Sequence, residues 1–363
     1  MMKSIYKITL LLFLIPLISF ANDDKKKKYE KSKTISKKFS VNSNATVDIS
    51  NKYGNIHVTT WDRNSVEFEI KITVKGNNSD KVERKLNAID VLFDATSNLV
   101  EAKTVIDKNK SSWSFWGKSN NNLNYKINYT VKMPKSNNAN LNNDYGSISL
   151  DELKGVANIN CDYGKISVGD LLNRSNSINL DYCSKSTINY AKNVNVNIDY
   201  SKLSIEKTGN AKLNTDYSTI DIGEAKDVTF NSDYGTVTID DVESASGNGD
   251  YTSLRFGTVR KNLSASTDYG SIRVKKLAKG FESVNITAEY AGIRIGVEPG
   301  ISFNFDIALQ YASFRYNKDK VDMFKRIVKS SKKSYEGTYG KGNTNAKIKV
   351  RSQYGGVSIT ENN

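Results

Sequence analysis

DYSKLSIEKTGNAKLNTDYSTI, residues 199–220, ends as it begins. Asp199-Tyr200-Ser201 returns as Asp216-Tyr217-Ser218, and each tyrosine is followed at its third and fifth places by apolar residues. These are Leu203 and Ile205 after Tyr200, and Ile220 and Ile222 after Tyr217. Ala211 and Leu213 stand six and four places before Tyr217. Apolar residues at every second position predict short β-strands on both sides of a corner, because successive strand side chains point to opposite faces.

The same phrase extends both ways. Asp144-Tyr145-Gly146, Asp162-Tyr163-Gly164 and Asp181-Tyr182-Cys183 precede it. Asp233-Tyr234-Gly235, Asp250-Tyr251-Thr252 and Asp268-Tyr269-Gly270 follow it. Glu289-Tyr290-Ala291, Gln310-Tyr311-Ala312 and Gln353-Tyr354-Gly355 close the series, and Lys52-Tyr53-Gly54 is an outlying first copy. From Tyr145 to Tyr311 the spacings are 18, 19, 18, 17, 17, 17, 18, 21 and 21 residues. A propeller blade needs roughly 40 residues, so this period is too short for one.

One such repeat cannot bury its apolar face alone, whereas stacked repeats share a core and pair their strands about 4.8 Å apart. The expected fold is therefore all-β, a single-domain parallel β-solenoid (β-helix). It would have about a dozen coils of 17–21 residues, with a small α+β cap near the N-terminus. Continuous alternation puts each tyrosine on the face of the apolar residue four before it. Tyr145, Tyr163, Tyr182, Tyr200, Tyr217, Tyr234, Tyr251, Tyr269, Tyr290, Tyr311 and Tyr354 are thus expected inside a corner, ring on ring. The Gly, Ser or Ala after the tyrosine would make the bend. The aspartates form a rim that must be solvated, paired or bonded to the corner backbone, or else hold a cation. After Tyr182 the pair Ile188 and Tyr190 comes three places late, which predicts a bulge or a wider corner there.

The 363-residue chain has a formal net charge of +14 and 38% apolar residues, a composition suited to much surface per residue. Residues 1–21 read as a signal peptide: Lys3 and Lys7, then the apolar run Ile8 to Phe20, then the Ser19-Phe20-Ala21 cleavage pattern. Residues 22–40 are a lysine-rich stretch expected to be a basic disordered tether. Residues 41–135 hold the first coil and the cap. Its predicted parts are a strand through Val66–Val74, a helix over Ser79–Phe93 and a strand ending at Pro134. Residues 136–363 form the repeat array, interrupted by a basic excursion at 318–343. No later stretch is long and apolar enough for a transmembrane helix, so none is expected in the mature chain.

These features resemble the bacterial putative-adhesin β-solenoid family, a domain-of-unknown-function family related to the head-GIN adhesin domains. Tyr53-Gly54-Asn55-Ile56-His57-Val58, Trp61-Asp62, Met133-Pro134, the short coils and Tyr354-Gly355-Gly356-Val357-Ser358-Ile359 carry the resemblance over residues 40 to 360. The family name implies adhesion and brings no catalytic or binding residues with it.

Catalytic chemistry finds little to work with. One histidine, His57, cannot supply a triad or a multi-histidine metal site. No phosphate-cradling glycine loop or nucleophile elbow occurs, and no catalytic, cofactor or metal residues are assigned. Cys161 and Cys183 are expected on opposite sides of the strand, unbonded. Two features remain as candidate contacts. Arg255, Arg273, Arg294 and Arg315 each stand four places after a tyrosine, an outward strip suited to an anion unless local acids pair with it. Trp113, Phe115 and Trp116 stand in a polar loop, able to anchor a partner or fold onto the cap.

The expected function is an exported, non-catalytic binding scaffold, periplasmic, cell-surface or secreted. Its partners would be an envelope glycan, an anionic surface or an envelope protein, and not nucleic acid. One alternative is a structural or regulatory envelope protein acting through protein contacts. The other is a polysaccharide-acting solenoid enzyme, for which Asp268 near Arg273 is the only hint.

Overall fold

A computed structural model describes residues 27–107, 123–342 and 344–362. Residues 1–21, expected to be a signal peptide, and Trp113, Phe115 and Trp116 lie outside these residues. Among the described residues the fold is all-β apart from one α-helix and a 3-10 turn, and the strands form one sheet with parallel and antiparallel pairs.

From Tyr145 to Tyr290 the repeats pair in parallel, each with the next, at matched positions. Lys202–Asp216 lies beside Thr219–Asp233 with Leu203 opposite Ile220, Leu213 opposite Phe230 and Asp216 opposite Asp233. The register holds along the whole length, with only Glu206/Gly223 and Gly209/Lys226 left out of the pairing. Val228, Phe230, Ile220 and Ile222 are buried, and so are Ala211, Leu213, Leu203 and Ile205 in the preceding repeat. One continuous buried cluster runs from Val41 to Ile359. Burying each such side chain is worth about 1.5–3 kcal/mol.

The corner after Tyr182 is wider than its neighbours, one of the two forms expected there. Ile188 sits opposite Val168, and the Ser186 hydroxyl accepts from the Ile166 N–H, so the shift is one residue and not three. Lys185 takes it up in a left-handed conformation, φ 55°.

Antiparallel strands cover both ends of the parallel array. At one end Tyr29–Ser40 pairs with Ser65–Gly76 along its whole length, and that strand pairs with Asn124–Pro134. Residues 29–40 are thus a strand and not a tether. Tyr29, Ile35 and Phe39 pack against the core, Lys31 and Lys33 are half-buried on the same face, and Lys37 and Lys38 face water. The helix is shorter than expected, Ser79–Asn87, capped by the Asn78 side chain, which accepts from the Lys81 N–H. Beyond Ala88, Ile89, Val91 and Phe93 change from helical to alternating spacing, and Ile89–Ala95 is a strand antiparallel to Leu99–Ile106. At the other end the lysine-rich excursion is a hairpin, Val321–Val328 with Lys332–Tyr339, laid antiparallel on Phe303–Gln310.

Candidate functional site

At each corner the tyrosine itself makes the turn. All twelve corner tyrosines, Tyr53 included, have φ between 47° and 62°, the left-handed region. That region costs a residue bearing a Cβ about 1–2 kcal/mol. The following residue is small for a different reason. A Cβ on Gly146 or Gly164 would collide with the backbone carbonyl of the preceding corner. Except at Tyr311, whose N–H donates to the Ser331 carbonyl oxygen, the tyrosine N–H donates to the carbonyl oxygen before the adjacent corner, as from Tyr200 to Asp216 (3.1 Å) and from Tyr234 to Asp250 (2.9 Å).

A left-handed residue breaks strand parity, and this overturns the expectation of inward rings. The corner tyrosines are 38–58% exposed. They do stack. Eleven successive pairs have ring centroids 4.6–5.3 Å apart and planes within 1–9° of parallel. Tyr125 packs edge-on against Tyr53 at 5.1 Å and closes one end of the row. Burial, with Tyr53 beside it, pushes the Tyr125 phenol up to about 12. Tyr163, Tyr200, Tyr234 and Tyr290 are also raised, by desolvation against their neighbours and then by the adjacent phenols.

Beside the ridge runs the aspartate column, Asp144 to Asp268, in unbroken register. Lys52 pairs with Asp144 (2.8 Å) at its end, a hydrogen bond that raises the lysine. Asp162 and Asp199 are held above the usual carboxylate range, by partial burial and then by their aspartate neighbours. Among the described residues no cluster of His, Cys, Asp or Glu could hold a metal ion. Two residues before the aspartates lies a ladder that the sequence reading missed. The Asn160 amide donates to Asn142, Asn179 to Asn160, and Asn197 to Asn179, and it resumes from Asn248 to Asn231. Its signal was there, an asparagine three places before tyrosine after tyrosine, but polar positions carry no weight in a search for a core.

The arginine strip is shorter than its spacing implies. Arg255, Arg273 and Arg294 are directly opposed in adjacent strands, but Ser358 stands between Arg294 and Arg315. All four are exposed, and among the described residues none has an acid partner. Toward the other end the same face carries Ser149, Ser167, Thr187 and Ser204, which with Asp151 and Asp221 line a shallow groove of about 690 Å³. His57 Nδ1 lies 2.6 Å from Ser149 Oγ there. Asp268 and Arg273 lie on either side of the Tyr269 corner, and neither forms an ion pair among the described residues.

The cysteines are not on opposite sides. Cys161 and Cys183 are both buried and free, and the Cys183 thiol donates to the Cys161 carbonyl oxygen (3.0 Å). Cys161 is held well above the usual thiol range by its contact with Cys183 and then by burial. Among the described residues no helix is long and apolar enough to cross a membrane.

No family model and no curated protein matches the chain. Among solved structures it is similar to a putative adhesin from Parabacteroides distasonis, 13% identical, covering 72% of this chain and 96% of that one, TM-score 0.40. A putative adhesin from Parabacteroides merdae is 13% identical over 72% and 95% of the two chains, TM-score 0.36. One from Bacteroides fragilis is 14% identical over 91% and 97%, TM-score 0.29. At such identities and TM-scores nothing about binding passes from those proteins to this chain.

Proposed function

We propose that the chain winds as a parallel β-solenoid and acts, after export, as a non-catalytic binding scaffold at the cell envelope, with the tyrosine ridge as its contact surface. The carrying observation is the unbroken run of twelve exposed rings at left-handed corners. Glycine or asparagine turns such a corner with less strain. The strain of about 1–2 kcal/mol per corner is roughly offset by about 0.5–1.5 kcal/mol per stacked pair. Folding alone therefore gains little from setting aromatics in water here, and their value lies in what they touch. Tyrosine gives large, rigid contact area at low entropic cost and is enriched at interfaces.

Stacking covers the ring faces, so a partner meets ring edges and a row of hydroxyls repeating at strand spacing, about 4.8 Å. Such a row suits an extended envelope glycan or an envelope protein. An anionic surface would add contacts with Arg255, Arg273, Arg294 and Arg315.

The test is co-sedimentation of the mature chain with an envelope fraction. A variant carrying Tyr200→Asn, Tyr217→Asn and Tyr234→Asn keeps residues that tolerate left-handed corners. Retention several-fold weaker than wild type, with an unchanged circular dichroism spectrum, is expected. Equal retention removes the ridge from the reading, and absence of wild-type retention at low salt ends it. Changing all four strip arginines to Ser tests whether any retention depends on them.

A further inference from the structure

At the hairpin end of the sheet, five strands meet with matched residues side by side. Asp268 is opposite Glu289, Glu289 opposite Gln353, Gln353 opposite Gln310, and Gln310 opposite Lys332. Directly opposed residues carry their side chains on one face. The row therefore reads acid, acid, amide, amide, ammonium. A second row, Thr287, Arg351, Ala308 and Ser334, lies beside it. The tip of the hairpin adds Ile327 and Lys329, and together they enclose a pocket of about 580 Å³. That volume is typical of small-ligand sites.

The charges in the pocket do not neutralise one another. Among the described residues Asp268, Glu289, Lys329 and Lys332 make no ion pair, and the side-chain amides of Gln310 and Gln353 make no hydrogen bond. The two remaining cations are already engaged. Arg351 is held by Asp306 at 2.8 and 3.0 Å, and Lys333 Nζ donates to the Ala312 carbonyl oxygen at 2.8 Å.

We propose that this pocket binds a short zwitterionic peptide. Its ammonium sits at Asp268 and Glu289, its carboxylate at Lys329 and Lys332, and its peptide groups on the amides of Gln353 and Gln310. A plain anion would meet two carboxylates, and a plain cation would meet two ammoniums. Separated opposite charges fit a ligand that carries both. Glu289 and Lys332 are three strand spacings apart, about 14 Å between backbones. Side-chain reach shortens the gap to near the length of three extended residues, about 10 Å. The glutamines support this assignment. Earlier repeats place aspartate at that position, and exchanging carboxylate for amide removes charge where neutral peptide groups, each a donor and an acceptor, would lie.

The experiment is calorimetric titration of the mature chain with trialanine, N-acetyl-trialanine and trialanine amide. Trialanine binds, and blocking either terminus weakens binding roughly five-fold, the worth of one partly solvated ion pair. Lys329→Gln with Lys332→Gln abolishes the preference for the free carboxylate and leaves the preference for the free amine. Asp268→Asn with Glu289→Gln does the reverse. No binding of trialanine, or equal binding of all three probes, overturns the proposal. The Tyr200, Tyr217 and Tyr234 variant binds trialanine unchanged, which separates this site from the fate of the ridge.

Discussion

Tyr290 stacks on Tyr354 at 4.6 Å, and Tyr311 stacks on the far side of Tyr354 at 5.0 Å. The spatial order thus inverts the sequence order. The strand Lys347–Gln353 slides between Ser283–Glu289 and Phe303–Gln310, parallel to both. The last part of the chain is a wedge that joins the hairpin end to the rest of the sheet. Truncation after residue 344 removes both ladders at once. We expect hydrogen exchange in Phe303–Gln310 and Lys332–Tyr339 to rise to near unprotected rates, while Lys202–Asp216 keeps its protection. Unchanged exchange in the hairpin would show that the wedge is dispensable.

The repeat was legible in the sequence because its signal is local. Leu203, Ile205, Ala211 and Leu213 alternate within one repeat, and the tyrosines count the repeats. The facing of the rings was not legible. Parity counted from Leu213 to Tyr217 assumes an unbroken strand, and a left-handed residue at the corner reverses it. The Arg294–Ser358–Arg315 order was hidden for another reason, since it depends on a strand from far along the chain inserting between neighbours. Ile35 and Phe39 alone were too weak a pattern to show Tyr29–Ser40 as a strand amid so many lysines.

The left-handed corners make a prediction that separates strain from stacking. Tyr217 stacks on Tyr200 at 5.0 Å and on Tyr234 at 4.8 Å, with φ 47°. Tyr217→Ala loses both stacks and keeps the strain, for a loss of about 1–3 kcal/mol. Tyr217→Gly loses the same stacks but recovers about 1–2 kcal/mol of strain. Urea denaturation should therefore rank glycine above alanine. The opposite ranking, which holds at ordinary strand positions, would refute the left-handed corner.

The acid response of the aspartate column has a definite sign. Folding raises Asp162 and Asp199, by partial burial first and neighbouring aspartates second. The native state then binds more protons than the unfolded chain between about pH 4 and the raised folded values. Their contribution is most favourable below that window and is lost as pH rises through it. Asp306 runs the other way. Its hydrogen bond with Arg351 lowers it, so its contribution is present at neutral pH and lost as pH falls through the lowered value. Thermal melts between pH 3 and 7 (a range set by the aspartate reference value) should show Asp162→Asn and Asp199→Asn gaining stability chiefly at the upper end. Asp306→Asn should lose it there. A gain for Asp306→Asn at pH 7 would contradict the pairing with Arg351.

Two asparagine contacts that look alike should differ sharply in cost. Asn179 joins Asn160 and Asn197 on a solvent-facing ladder, where water replaces whatever is lost. Asn143 is buried. It donates to the Gly54 carbonyl oxygen at 2.8 Å and accepts from Asn51, which itself donates to the Ile127 carbonyl oxygen. Asn143→Leu leaves both the Gly54 oxygen and one Asn51 proton without a partner in a dry site. Each orphaned group costs about 1–3 kcal/mol, against about 1 kcal/mol or less for Asn179→Ala, whose partners rehydrate. The junction between the first corner and the main array should therefore open before the middle repeats in the Asn143 variant. Limited proteolysis mapping the first cut to residues 51–56 is the expected result. A first cut within the ladder around Asn179 would mean that the buried amide pair does not hold this junction together.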